Sequence, residues 1–500
     1  MKNILNNTIK YTFIFIFLII FFLLIIIDKN ITYNFMNINK ISNLNIFIFL
    51  IYIIMLYLYL KYKYKLNIKF KNNNHINIIF IILFIIQLII FNNIYFETGW
   101  DPKILKETAN QYALTNIFNN NTYFNSYPYF DIYPNNIILT SLFGYIYKFA
   151  YLINISNPNK LLVIISIILV DISGIMTIKT ISNFTKNKKT LLICTILFCI
   201  FIGLNPWFLI PYSDTFSIII PISILYNYTK KNKKFHNYLL IGLLSTLGFL
   251  IKPTNIIIFI SIMIIELFNF IFNKRKNIKE IIKKTSPILL GFLIIIIITI
   301  TNEKIINYNV NRNYNFSMYH FLMMGSNKKT NGSFYDKDVI NSLKQKNYNK
   351  RVNYNLKVFI KRMKSRSFSE HINFYQKKLL LTYNDGTLAW GNEGDFFNKI
   401  ENKKTNIFKE IFYTTGKYYH LFSTFLHTIW ILIILFSIYY SITNKNNKIN
   451  VVLLSLIGLT LYILLFETRA RYLYLYTPFF IILASLGIEN LKVILHKKNI

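Results

Sequence analysis

Thirteen apolar runs divide this chain of 500 residues, at roughly 10–27, 45–60, 76–95, 134–153, 161–182, 190–205, 215–228, 237–251, 254–272, 286–302, 420–441, 450–466 and 470–488. Most approach the roughly 20 residues that a helix needs to cross the hydrocarbon core of a bilayer. Inside that core every backbone N–H and C=O must be satisfied without water, so repeated runs of this length restrict the chain to a bundle of membrane helices. The composition agrees: 54% of residues are hydrophobic and the mean hydropathy is +0.39. A soluble domain is excluded, and the expected class is an all-α polytopic membrane protein.

Charge then sets the topology. A formal net charge of +36 would point to nucleic acid in a soluble protein. Here the lysines gather in short connections between apolar runs, at 61–71, 186–189, 230–234, 274–284 and 445–448, where the positive-inside rule places them in the cytoplasm. No nucleic-acid partner is expected. Counting spans from the two ends gives answers that differ by one, and they agree if 134–153 does not cross. That run opens at Pro134, carries Asn135 and Asn136, and is interrupted by Gly144 and Lys148. It is read as a juxtamembrane helix on the outer surface, which leaves about 12 transmembrane helices with both termini inside. The run after Lys2 and Lys10 lacks a small-residue cleavage site and is read as a retained span.

The organisation follows. Residues 1–75 hold two transmembrane helices, and 76–303 form a membrane core with a first outer loop at 96–133. Residues 304–418 are one long extracytoplasmic segment, whose basic residues do not oppose translocation, because long segments cross largely regardless of charge. Residues 419–500 supply the last transmembrane helices. Most of the 20 Asp and Glu residues then fall on or near the outer face, so the chemistry is expected there. Cys194 and Cys199 share one apolar run, where neither a disulfide nor a zinc site is expected.

The acids at the membrane boundary are the candidate catalytic residues. Asp101, in Gly99-Trp100-Asp101-Pro102, stands just past the third run, with Glu97 before it. A carboxylate there is placed to take a proton from a hydroxyl, while Asp before Pro is also an ordinary helix start. Asp214, in Pro211-Tyr212-Ser213-Asp214, has the same two readings. Together Asp101 and Asp214 are able to bind a divalent cation, Mg or Mn, or to divide base and positioning roles. Lys252 breaks an apolar stretch on the same side, either to snorkel or to meet a phosphate. Glu467-Thr468-Arg469-Ala470-Arg471-Tyr472 joins the last two spans. Its two guanidinium groups suit a phosphate or pyrophosphate held bidentately, or a structural pairing with Glu467. Tyr383 to Asp395, with Asp385, Trp390 and Glu393, is either a structural turn or a sugar-contacting surface.

Glu97 and Asp101, Tyr133-Pro134-Asn135-Asn136, Asp214 and the late Glu-x-Arg-x-Arg-Tyr together resemble the GT-C glycosyltransferases. The similarity is greatest to bacterial relatives of the dolichyl-phosphate-mannose protein mannosyltransferases, and it spans roughly 76–488. The two spans before residue 76 and the lack of an adjacent Asp-Glu pair in the first loop depart from that pattern. The resemblance implies transfer of a sugar from a polyprenyl-phosphate carrier to a glycan, lipid or protein acceptor on the outer face of the cell membrane. Asp101 would be the base and Asp214 a positioning acid, with Glu97 beside them. Arg469, Arg471 and Lys252 would hold the donor phosphate, and Tyr133, Asp385, Trp390, Glu393 and Glu467 would contact substrate. A flippase or exporter of lipid-linked saccharides and a polysaccharide polymerase or ligase are the rival expectations.

Overall fold

The computed structural model describes residues 2–26, 51–52, 55, 59, 74–118, 123–124, 127–272, 278–394, 406–444 and 446–497. The run at 45–60 lies largely outside them. Among the described residues eight helices are long and apolar enough to cross a membrane: Ile4–Ile26, His75–Ile94, Pro158–Ile181, Pro253–Ile271, Lys279–Ile306, Tyr419–Thr443, Asn447–Leu465 and Ala470–Leu491. The protein is a multi-pass membrane protein built of helices, with a short antiparallel pairing of Tyr123–Phe124 with Tyr127–Pro128.

Three more expected spans are short or broken, each for a local reason. Lys188–Phe198 passes into a π-helical turn at Cys199–Gly203. The run at 215–228 is split into Ser213–Ser217 and Ile219–Thr229. Pro221 has no N–H to offer the carbonyl four residues back, which accounts for the break at Ile218. Phe235–Ile251 is a continuous helix of 17 residues. The run at 134–153 becomes a 3-10 turn, Pro134–Asn136, and a 16-residue helix, Ile137–Leu152, about 24 Å long. It packs on the Trp100–Thr115 helix, where Gly144 leaves room for the Tyr112 ring.

Close packing between spans depends on small residues, as expected where lipid supplies no hydrophobic drive for helices to associate. Gly242 and Gly291 bring Phe235–Ile251 against Ile278–Ile306 so closely that a Cβ at Gly242 would lie 2.2 Å from the Ile288 carbonyl oxygen. The C-terminal segment is the centre of the bundle, with Leu473, Tyr474, Leu475, Tyr476 and Phe479 all fully buried. The 304–418 segment contributes the helices Met318–Gly325, Asp336–Leu343, Tyr348–Lys364 and Phe368–Tyr383, and its residues 383–394 return into the bundle beneath the site described next.

Candidate functional site

Asp101 lies in the first turn of the Trp100–Thr115 helix, whose N-cap is Gly99. Its side chain is therefore not the cap that a local pattern suggests. Trp100 before it is half exposed and adopts φ 49°, a left-handed conformation that costs a non-glycine residue about 1 kcal/mol or more. That turn directs Asp101 inward. Its Oδ2 accepts a hydrogen bond of 2.9 Å from the Tyr212 hydroxyl. Tyr129, itself held by a 2.6 Å bond from Asn136, faces the same carboxylate. Burial and then the Asp101 carboxylate push the Tyr129, Tyr133 and Tyr212 phenols well above their ordinary value. All three stay protonated and available as donors.

Tyr212 connects this acid to the rest of the cluster. The Arg471 guanidinium lies 5.7 Å from the centre of the Tyr212 ring and 5.8 Å from that of Tyr472. Lys252 stands 4.7 Å from the Tyr472 ring and forms an ion pair with Asp214, which is 2% exposed. Asp214 is thus a buried ion-pair partner in the first turn of its short helix, where Tyr212 takes the N-cap position. A buried pair of this kind survives only when each charge has its partner.

Glu393 ties the two arginines together. Its Oε2 is 3.3 Å from Arg469 and 3.1 Å from Arg471. Arg469 also bonds Glu467 at 2.8 Å, and the Tyr472 hydroxyl bonds the other Glu467 oxygen at 3.0 Å. Burial opposes the charge on Arg469, but Glu393 and Glu467 outweigh it and hold the guanidinium above its ordinary value. The late motif therefore makes both pairings at once, one inside itself and one to a residue 76 positions earlier in the chain (469 − 393).

The placement of Glu393 and Glu467 rests on two supports. Residues Leu388 and Ala389 both have positive φ, at 55° and 66°. That strained pair is held by the Asp385 carboxylate, which accepts from the Thr387 and Ala389 N–H groups at 2.8 and 2.9 Å, and by the Trp207 indole, which donates to the Leu388 carbonyl at 2.9 Å. Trp390 is fully buried, donates to the Phe412 carbonyl at 2.6 Å and packs edge-on against Trp207. The π-helical turn Trp390–Gly394 then presents Glu393. The second support is Lys378, also fully buried, whose ammonium donates to the carbonyls of Gly325, Leu464 and Phe466 at 2.7 to 2.8 Å. It closes the end of the Asn450–Leu465 helix just before Glu467.

The structure thus gathers Asp101, Asp214, Lys252, Glu393, Glu467, Arg469 and Arg471 into one connected cluster, with Tyr133 beside it. It does not bring Glu97 there. Glu97 accepts from Lys106 at 2.7 Å, from Asn159 at 3.2 Å and from the Tyr95 hydroxyl. It is engaged by these three groups instead. Asp385 and Trp390, expected to meet substrate, sit beneath the cluster and shape the turn that carries Glu393. Sequence reasoning missed Tyr129, Tyr212, Tyr472, Lys106 and Lys378. Tyr212 and Tyr472 stand inside the motifs already singled out, and an aromatic beside a boundary acid or arginine was the available signal. Lys378 had none.

A divalent cation at Asp101 and Asp214 does not fit this donor set. Lys252 already places an ammonium on Asp214, where it would repel a dication, and Asp101 offers one carboxylate bonded to a phenol. Among the described residues no three of His, Cys, Asp and Glu are grouped to hold a metal ion. The arrangement can accept a proton at Asp101 and stabilise negative charge at Arg471, with the Tyr212 ring between them.

No curated protein matches the chain. Among solved structures it is similar to the crystal structure of ArnT from Cupriavidus metallidurans bound to undecaprenyl phosphate, at 10% identity over 84% of this chain and 79% of that one, with a TM-score of 0.30. The family model described as conserved hypothetical integral membrane protein matches residues 1–492, and the chain belongs to that family.

Proposed function

We propose that the protein is a GT-C-like glycosyltransferase that moves a sugar from a polyprenyl-phosphate carrier to an acceptor hydroxyl at the outer face of the membrane. The observation that carries this reading is the linkage of Asp101 to Arg471 through Tyr212, a base and a phosphate-binding cation separated by one phenol ring. In the reaction Asp101 takes the acceptor hydroxyl proton while the acceptor oxygen bonds the anomeric carbon. The bond from that carbon to the phosphate oxygen breaks, the configuration inverts, and Arg471, Arg469 and Lys252 stabilise the departing phosphate. Guanidinium groups suit that task because their paired N–H donors match phosphate oxygens. The acceptor is a glycan, a lipid or a protein, and the carrier chain lies in the bilayer beside the site.

The test uses membranes containing the full chain and a panel of radiolabelled polyprenyl-phosphate hexoses. Asp101→Asn is expected to lower transfer by about 10²–10⁴-fold while leaving insertion and thermal midpoint intact; transfer at the wild-type rate overturns the assignment. Sidedness is checked in a background with Cys194 and Cys199 replaced by Ser. Single cysteines at the exposed positions 103 and 145 are expected to react with an impermeant maleimide on intact cells, and those at the exposed positions 188 and 231 are not. Labelling with the opposite pattern overturns the outer placement.

A further inference from the structure

Three helices run from the cluster to the opposite end of the bundle. Ile219–Thr229 leads away from Asp214, Ile256–Ile271 leads away from Lys252, and Asn450–Leu465 arrives at Glu467 from Asn447 and Lys448. A helix of 16 residues spans about 24 Å, so the ends of these helices mark a second site remote from the first. A cavity of about 320 Å³ opens there. Its wall is formed by the first helix (Asn6), the connection after Thr229 (Lys230, Lys231, Lys233), the Ile256–Ile271 helix (Ile265) and the turn at Lys448.

Among the described residues, four ammonium groups line this cavity and no carboxylate does. Among the described residues none of the four forms an ion pair. The nearby acid, Glu266, is already engaged by the Tyr228 hydroxyl at 2.8 Å and by Lys284 at 3.8 Å. Lys230 and Lys233 rest over the faces of Tyr226 and Tyr228, at 4.5 and 4.3 Å from the ring centres, which orders their heads along the wall. The Asn6 amide nitrogen is buried at the same wall with no acceptor. Burial pushes the Lys233 ammonium below its ordinary value, with Glu266 opposing and Lys284 and Lys448 adding to the shift. Cations crowded around one nearby carboxylate that is itself engaged elsewhere are the complement of an anion with several acceptor oxygens.

We propose that this cavity is a binding site for a phosphate-bearing anion, held by Lys230, Lys233 and Lys448 with the Asn6 amide as a neutral donor. Its position at the ends of membrane helices suits the headgroup of an anionic lipid, and the same donors serve a free phosphate. Nothing in the transferase reaction requires it.

The experiment follows the thermal midpoint of the full chain, purified in a neutral maltoside detergent, during titration with dioctanoyl-phosphatidylglycerol, dioctanoyl-phosphatidylcholine and inorganic phosphate. The expected result is stabilisation by phosphatidylglycerol or by phosphate and none by phosphatidylcholine. Apparent affinity is expected to fall roughly fivefold per lysine removed, hence about a hundredfold in K230Q/K233Q/K448Q, and to be restored in K230R/K233R/K448R. A K186Q/K189Q control on the same face is expected to bind like wild type. Saturation by phosphate alone assigns a free phosphate site; a shift that needs the glycerolipid assigns a headgroup site. The proposal is overturned by an equal shift with phosphatidylcholine, by no shift in the wild type, by unchanged binding in the triple Gln variant, or by an equal loss in the K186Q/K189Q control.

Discussion

The two ends of this bundle hold charge in opposite ways. At the Asp101 end, four carboxylates (Asp101, Asp214, Glu393, Glu467) and three cations (Lys252, Arg469, Arg471) are interlocked, and most of them are buried. At the other end, Lys230, Lys231, Lys233 and Lys448 face a cavity with no acid among the described residues that line it. A buried charge without a partner is strongly destabilising, whereas cations at a wet surface repel one another only modestly. The first end therefore has its charges paired before any ligand arrives. The second is completed only by an anion from outside. Removal of one charge should consequently have opposite signs at the two ends, and that contrast can be measured.

The largest effect is expected at the Lys252–Asp214 pair. Lys252→Met strands a carboxylate that is 2% exposed and should cost about 3–5 kcal/mol, read as a lowered thermal midpoint in detergent. The double variant Lys252→Met/Asp214→Leu should recover much of the loss. If it recovers nothing, the two residues do not act as a pair. Glu393→Gln comes next: it leaves Arg469 and Arg471 without the carboxylate they share, for an expected cost of about 2–4 kcal/mol. Arg469→Gln in that background should be milder than Arg469→Gln alone, a coupling that a double-mutant cycle measures directly.

At the other end Lys233→Gln should raise the midpoint in phosphate-free detergent, by less than about 1 kcal/mol, because it removes a repelled cation. A lowered midpoint there would break the comparison. The smallest effect belongs to the pH-linked part of the Glu97 contribution. Lys106 and the other donors outweigh burial and hold its carboxyl below the usual value. Its contribution is thus present above the unfolded value of about 4.3 and is lost as pH falls through the lower folded value. With Glu97 about half exposed, solvent screening limits this to no more than about 0.5 kcal/mol. Glu97→Gln should flatten that acid limb of the stability curve and leave transfer intact; abolished transfer would return Glu97 to the catalytic group. Chelation with EDTA tests the place given to Lys252: transfer should be unchanged, because an ammonium already stands where a cation would bind Asp214.

Much of the architecture was legible in the residues, and the illegible parts have physical causes. Apolar length announces a span, so the helices at 74–94, 158–181, 419–443 and 450–465 follow their runs closely. The charge count singled out 134–153 as different, and the chain there forms a 3-10 turn and a 16-residue helix packed on the Asp101 helix. The break at Ile218, three residues before Pro221, and the π-helical turn 199–203 shorten two expected spans in ways that apolar length does not encode. At the site, Asp101, Asp214, Lys252, Arg469 and Arg471 stood out because charge beside lipid is costly and therefore kept for a reason. The local alternative for both acids, a helix cap, gave way to Tyr212 and Lys252, partners brought by other elements.

The sequence alone determined that this is a helical membrane protein, where its lysines lie and which few charges border its spans. These properties depend on transfer of each segment between water and lipid, a sum over neighbours in the chain. Tertiary structure alone decided that Glu393 joins the two arginines while Glu97 turns away to Lys106. It also decided that Asp385 and Trp390 support the site from beneath, and that lysines from separate connections meet around one cavity. Those outcomes depend on the pairing of charges across elements, and in a medium that punishes an unpartnered charge, the partner sets the role.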